Sequence, residues 1–204
     1  VRKGDHTRQA ILEVAVRMAR YSGLSGLTIG SLAAAIDMSK SGVYAHFKSK
    51  EALQMACMEY NGEQFIAEVI RPALSKPRGV ARLRALLELW MRWYAQPGGC
   101  LHLAAISEFD DLPGPLNAKM VADQKDMLDT LKQIVATGVS EGELRGDVDT
   151  VQIAQEVFGI MLSYNWMHRI LAEPDADKRA WVAFDRLVES QAAREDSQRF
   201  QRTS

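Results

Sequence analysis

Apolar residues recur along this chain at intervals of three and four, and no stretch alternates strictly as a half-buried strand would. Ile11, Val14, Ala15, Met18 and Ala19 form one stripe, ended by Ser22-Gly23. Thr28 is placed to cap a short helix reaching about Ile36, Ser39 a second over 40–46, and Ser49 a long third with Glu51 in its first turn. Pro72 and Pro77 bound the next gap. Over 80–94, Leu83, Leu86, Leu87, Trp90 and Tyr94 align at helical spacing until Pro97-Gly98-Gly99 breaks the pattern. A short helix is expected over 100–109, followed by the punctuation Pro113-Gly114-Pro115. Leu116, Met120, Met127, Leu131 and Ile134 then share one face of a long helix that closes between Gly138 and Gly146.

Residues 151–171 are apolar nearly all round, with one stripe through Ala154, Val157, Phe158, Met161 and Leu162 and another through Ile153, Ile160, Tyr164, Met167 and Leu171. A helix apolar on two faces must bury both. Trp181, Phe184, Leu187 and Val188 give the last helix, 177–191, a single stripe, and the polar tail from Arg194 is expected to fray. The pattern predicts an all-α chain: a three-helix head over 1–48 containing a helix-turn-helix, and a larger helical body over 49–204.

Composition narrows the class without changing that layout. An apolar fraction of 47% and a charged fraction of 25% over 204 residues are those of an ordinary globular protein. Two cysteines, Cys57 and Cys100, make no disulfide framework and fit a reducing compartment. No apolar run is long enough to span a bilayer, and the polar start lacks a signal-peptide core, so a cytoplasmic protein without a membrane partner is expected. The net charge of −1 conceals an asymmetry: residues 1–50 carry +5 and the remainder −6. A basic head on an acidic body suits a phosphate-binding module attached to a domain that does not touch phosphate.

The informative segment runs from Leu27 to Leu53. Two short helices across a tight turn suit a helix-turn-helix whose second helix enters the major groove. Ile29, Leu32, Ala33, Ile36, Met38, Val43 and Phe47 are the apolar anchors, and Phe47 is read as packing only. Lys40, Ser41, Gly42, Tyr44 and His46 are short or positive groups able to reach phosphates or base edges. The alternatives are a core aromatic at Tyr44, a capped surface histidine at His46, and a merely solvated face at Lys40, Lys48 and Lys50.

The run Ser39-Lys40-Ser41-Gly42-Val43-Tyr44-Ala45-His46-Phe47-Lys48-Ser49-Lys50-Glu51-Ala52-Leu53, with the Thr28 cap and the first-helix pattern from Ile11, resembles the TetR family of transcriptional regulators. Beyond about residue 55 the likeness is one of layout. The resemblance implies a homodimer on double-stranded operator DNA, a reading helix near 39–47, backbone contacts by Tyr44 and His46, and a phosphate contact by Lys50. Thr28, Ser39, Lys40, Ser41, Gly42, Tyr44, His46 and Lys50 are the expected DNA-binding set. The sequence departs from the family at Asp37, where glycine is usual in the turn. Asp tolerates the left-handed region better than most residues. Gly30 inside a motif helix costs roughly 1 kcal/mol against Ala.

The body offers aromatic and adaptable side chains suited to a small, largely apolar effector: Trp90, Tyr94, Phe109, Met120, Met127 and Trp166. Ordinary core packing is the competing reading for each. The helices at 151–171 and 177–191 are expected to dimerise through Ile160, Tyr164, Met167, Trp181, Phe184 and Val188. His102 with Glu108, or His168, lacks metal-ligand spacing, so no metal and no cofactor are expected. Cys100 follows Gly98-Gly99 at a helix start, a setting that can lower a thiol pKa and admits a redox sensor. An enzyme finds no nucleophile elbow, P-loop, dinucleotide fingerprint or metal motif. An architectural DNA binder would share the head and need no effector cavity.

Overall fold

A computed structural model describes residues 3–193; the tail from Arg194 lies outside them. The described residues hold ten α-helices and no strand, with one isolated antiparallel bridge between Leu144 and Ala192. The helices are α1 (Lys3–Gly26), α2 (Ile29–Ala35), α3 (Lys40–Phe47), α4 (Lys50–Phe65), α5 (Arg71–Leu74), α6 (Val80–Tyr94), α7 (Leu101–Phe109), α8 (Pro115–Ser140), α9 (Thr150–Asn165) and α10 (Ala176–Gln191). Wider π turns extend α4 through Ile66–Ile70 and α9 through Trp166–Ile170.

Local chemistry sets the ends of these helices. Thr28 accepts from the Ser31 amide at 3.0 Å and its own amide donates to the Ser31 hydroxyl at 3.1 Å, a reciprocal capping box. Ser39 caps α3 through the Gly42 amide and Ser49 caps α4 through the Ala52 amide. Asp149 accepts from the Val151 and Gln152 amides and starts α9, a cap the periodicity alone did not single out. Asp37 adopts φ +52, as its place in the turn requires, and the Met38 amide returns to the Ala33 carbonyl at 3.0 Å. The helical run of α1 carries past Ser22 to Gly26 across a kink at Gly23, with φ +73 and ψ 165.

The chain forms two compact units, neither continuous in sequence. One comprises the residues up to Glu68 together with Gln96–Gln124, the other Val69–Ala95 and the residues from Lys125 onward. In the first, Leu24, Leu27, Leu32, Val43, Leu53, Cys57, Met58 and Leu101 are fully buried in one cluster. Full burial of an aliphatic side chain of this size stabilises by about 1.5–3 kcal/mol. Helix α7, remote in sequence from the head, packs along α1 in this unit. In the second, Leu83, Leu86, Leu87, Leu131, Val157, Met161 and Phe184 are buried among α6, α8, α9 and α10.

Candidate nucleic-acid interface

Helix α3, the expected reading helix, is held by its apolar side. Val43 is fully buried, Phe47 nearly so, and both pack with Leu32 and Ala33 of α2. Ala33, 2% exposed, is small where the two helices meet. The opposite side of the motif forms an open concavity of about 810 Å³ lined by Thr28, Ile29, Gly30, Lys40, Ser41, Tyr44, Ala45 and Lys48. Four expected residues, Thr28, Lys40, Ser41 and Tyr44, therefore share one surface. Tyr44 is 53% exposed, which excludes a core role for its ring.

The other expected residues sit nearby with identifiable local duties. The Ser39 hydroxyl accepts from the Gly42 amide and lies 3.1 Å from the Ser41 hydroxyl. A Cβ at Gly42 would come within 3.2 Å of both Met38 Cε and Ser39 Oγ, so glycine lets this first turn close. His46 is half-buried, its ring tilted at 6.2 Å from that of Phe47. The Lys50 ammonium donates to the Ser25 carbonyl at 2.6 Å, so this lysine also ties α4 to the last turn of α1.

Two features of the surface were not legible as site residues. Lys48 ends α3 at φ +64, which folds it back to line the same concavity. Its basic charge was visible in the sequence; that reversal was not. Gly30, read from the sequence as a cost to α2, has a spatial reason. A Cβ there would lie 3.3 Å from Lys40 Cε and 3.7 Å from its Nζ, so the Lys40 stem rests against this glycine beside Thr28.

The residues expected at the effector site divide between the two units. Trp90 and Tyr94 are buried neighbours on α6 with ring centroids 5.8 Å apart, and Phe158 meets Trp90 edge-on at 5.9 Å. Met127, also buried, belongs to this second unit. Met120 and Phe109 belong to the core of the first. Trp166 corrects the expectation: on the π turn it is 57% exposed and belongs to the surface rather than to an interior lining.

A second correction falls on α10. Phe184 is fully buried within the chain, edge-on to Trp181, with the Arg84 guanidinium 5.2 Å from each ring, so it has no surface to offer a partner. Ile160, Tyr164 and Met167 instead line a groove of about 470 Å³ along α9 and α10, where Gly159, Ser163, Ala176, Ala180 and Ala183 leave room. Trp181 and Val188 are half-buried. Cys100 is the residue before α7, at the edge of burial with 9% exposed, and makes no side-chain cap there. Among the described residues no three His, Cys, Asp or Glu side chains group as a metal site, and no helix is long and apolar enough to cross a membrane.

A helix-turn-helix presenting short and basic groups from its second helix defines a DNA-binding transcriptional regulator. Residues 11–57 match the profile described as bacterial regulatory proteins of the tetR family, and residues 79–184 that of the tetracyclin repressor-like C-terminal domain. The chain belongs to the TetR family, whose members are transcription factors and not enzymes. It is similar to a TetR transcriptional regulator from Chloroflexus aurantiacus, with 27% identity and a TM-score of 0.85 over 94% of this chain and 98% of that one. The AibR crystal structure in complex with isovaleryl coenzyme A and operator DNA matches at 25% identity and a TM-score of 0.67, covering 92% and 99% of the two chains. The HTH-type transcriptional repressor NemR of Escherichia coli is 23% identical over 170 residues, 80% of this chain and 84% of that protein.

Proposed function

We propose that this regulator is a repressor that binds a near-palindromic operator as a homodimer and is released by a small, largely apolar effector. The observation that carries the DNA half is the single concavity joining Thr28, Lys40, Ser41, Tyr44 and Lys48 on the exposed side of the motif. Lysines there supply the sequence-independent attraction to phosphate, while Ser41 and Tyr44 are short or planar enough to discriminate. Ser39 and Gly42 shape the first turn of the reading helix, and His46 and Lys50 flank it. The protein acts where its DNA is, in the cytoplasm.

The dimer half rests on apolar surface left open in the second unit. Leu162, Trp166 and Ile170 follow at steps of four and are 40%, 57% and 55% exposed, with Leu171 and Val182 also open. The adjoining groove, where small residues stand between Ile160, Tyr164 and Met167 and the charged Glu173 and Arg179, can seat side chains from a second copy. The effector half rests on the buried rings of Trp90 and Tyr94 with the half-buried Phe158 against them, and on the bound acyl coenzyme A that a structural relative carries alongside its operator. A ligand releases DNA only by binding one state better than the other.

The test begins with a duplex selected from a random-sequence pool by the wild-type protein, titrated across salt. Lys48→Ala should weaken all duplexes alike and flatten the salt slope by about one unit. Ser41→Ala should change which duplexes are selected. Apolar compounds that raise the melting temperature are then added to the complex and should lower its affinity. A Lys48→Ala protein indistinguishable from wild type at every salt concentration would remove this surface from the DNA-binding role.

A further inference from the structure

The last turn of α1, between its kink at Gly23 and the start of α2, is gripped from two sides by elements that are far apart in sequence. On one side the Glu108 carboxylate, at the end of α7, accepts from the Leu24 amide at 3.1 Å and the Ser25 amide at 2.7 Å. On the other, Gln54 of α4 donates to the Leu24 carbonyl at 2.8 Å, and the Lys50 ammonium donates to the Ser25 carbonyl at 2.6 Å. Two residues of backbone thus have both their amides and both their carbonyls committed. A carboxylate held by two N–H donors and an ammonium on a carbonyl are charge-assisted bonds, stronger than neutral ones.

Gly23 makes the first grip possible. Its φ of +73 suits glycine, and a Cβ there would stand 2.4 Å from Glu108 Oε1. The gripped turn leads within three residues to Thr28, the cap of α2, and α2 carries the reading helix on Leu32 and Ala33. Its other partner, Lys50, opens α4 immediately after the motif. Helix α7, with the first turns of α8, is reached by the chain only after it has left this unit and returned to it.

We propose that Glu108 is a positioning residue for DNA binding. By holding the Leu24 and Ser25 amides it fixes the last turn of α1, and so sets the presentation of α2, α3 and Lys50 to the duplex. Through it, a displacement of α7 becomes a displacement of the reading surface. The proposal rests on the family's DNA-binding activity and does not depend on the identity of any effector.

The sign of the effect distinguishes positioning from charge. Deleting a carboxylate from a DNA-binding head should, by electrostatics alone, tighten binding to a polyanion. Positioning requires the opposite. The experiment measures affinity for the duplex selected by wild type, at a temperature where circular dichroism shows each variant fully folded. Glu108→Ala and the near-isosteric Glu108→Gln should each bind more weakly, by roughly 5- to 150-fold. Lys50→Ala should cost less in the Glu108→Ala background than in wild type, since both side chains hold the same turn. Should Glu108→Ala not fold, Glu108→Gln decides alone, with Gly23→Ala breaking the same grip without removing charge. Folded variants that bind as tightly as wild type or more tightly overturn the proposal, as do Glu108 and Lys50 effects that simply multiply. A wild-type protein that selects no duplex overturns the DNA-binding reading beneath it.

Discussion

His102 of α7 carries a side chain only 15% exposed, with Nδ1 at 3.9 Å from Asp123 Oδ2 and Nε2 buried without a hydrogen-bond partner. Burial is the largest influence on its pKa and lowers it, against smaller opposing effects from the Asp123 carboxylate and the Met120 backbone. Asp123 is meanwhile engaged by Lys119 one turn away. A base whose pKa is lower folded than unfolded binds its proton more readily in the unfolded chain. Stability is therefore complete above the unfolded value of about 6.5 and declines as pH falls from there through the depressed folded pKa. The melting temperature of wild type should drop across that window, and His102→Gln, which cannot take up a proton there, should show a shallower decline. Equal slopes for the two proteins would assign the acid sensitivity to other groups. Cys57 illustrates the same physics without a function: burial pushes its thiol up to about 12, so it stays protonated and serves as core.

At the scale of an element, α2 trades stability for contact. Seven residues make a marginal helix, and its capping box compensates for a glycine in its first turn. Replacing Gly30 by Ala should stabilise the head by about 0.5–1 kcal/mol through helix propensity. The same methyl group would push on the Lys40 stem at 3.3 Å, displacing its ammonium from beside Thr28. The expected outcome is a higher melting temperature with weaker duplex binding, read by calorimetry and anisotropy on one preparation. A stabilised variant with unchanged affinity would show that Lys40 acts from another position. The π turns after α4 and α9 are elements of a different kind. Trp166–Ile170 widens the helix where the chain carries exposed Trp166, Met167 and Ile170.

For the whole molecule, the homodimer proposed above needs an apolar surface that a second copy can cover. The α9–α10 region supplies Leu162, Trp166, Ile170, Leu171 and Val182 to solvent, while Phe184 lies wholly inside. Ile170→Asp should then leave the secondary structure and thermal transition of the subunit largely intact while lowering the sedimenting mass to that of one chain. Phe184→Asp places a charge in a closed core beside Trp181 and should abolish folding instead. An Ile170→Asp protein that still sediments as a dimer would place the interface elsewhere.

What the sequence by itself determined was set by neighbours a few residues apart. The helical period of α6, the Thr28, Ser39 and Ser49 caps, the left-handed Asp37 turn and the anchors Leu32, Ala33, Val43 and Phe47 all follow from local sterics, local hydrogen bonds and one-sided burial. The exposed face of the motif, proposed here to bind DNA, was legible for the same reason, since two short helices fix their own exposed side. Tertiary structure decided which distant groups meet. Periodicity marked Phe184 and Val188 as one stripe, but only packing against Trp181 and Arg84 closed the first of them off. Nor could spacing show Lys50 on the Ser25 carbonyl, Lys40 against Gly30, or Glu108 on the amides of a turn 83 residues away. A side chain's nearest partner in a folded chain is set by how helices cross, and a periodic pattern tells which face of a helix is buried without telling against what.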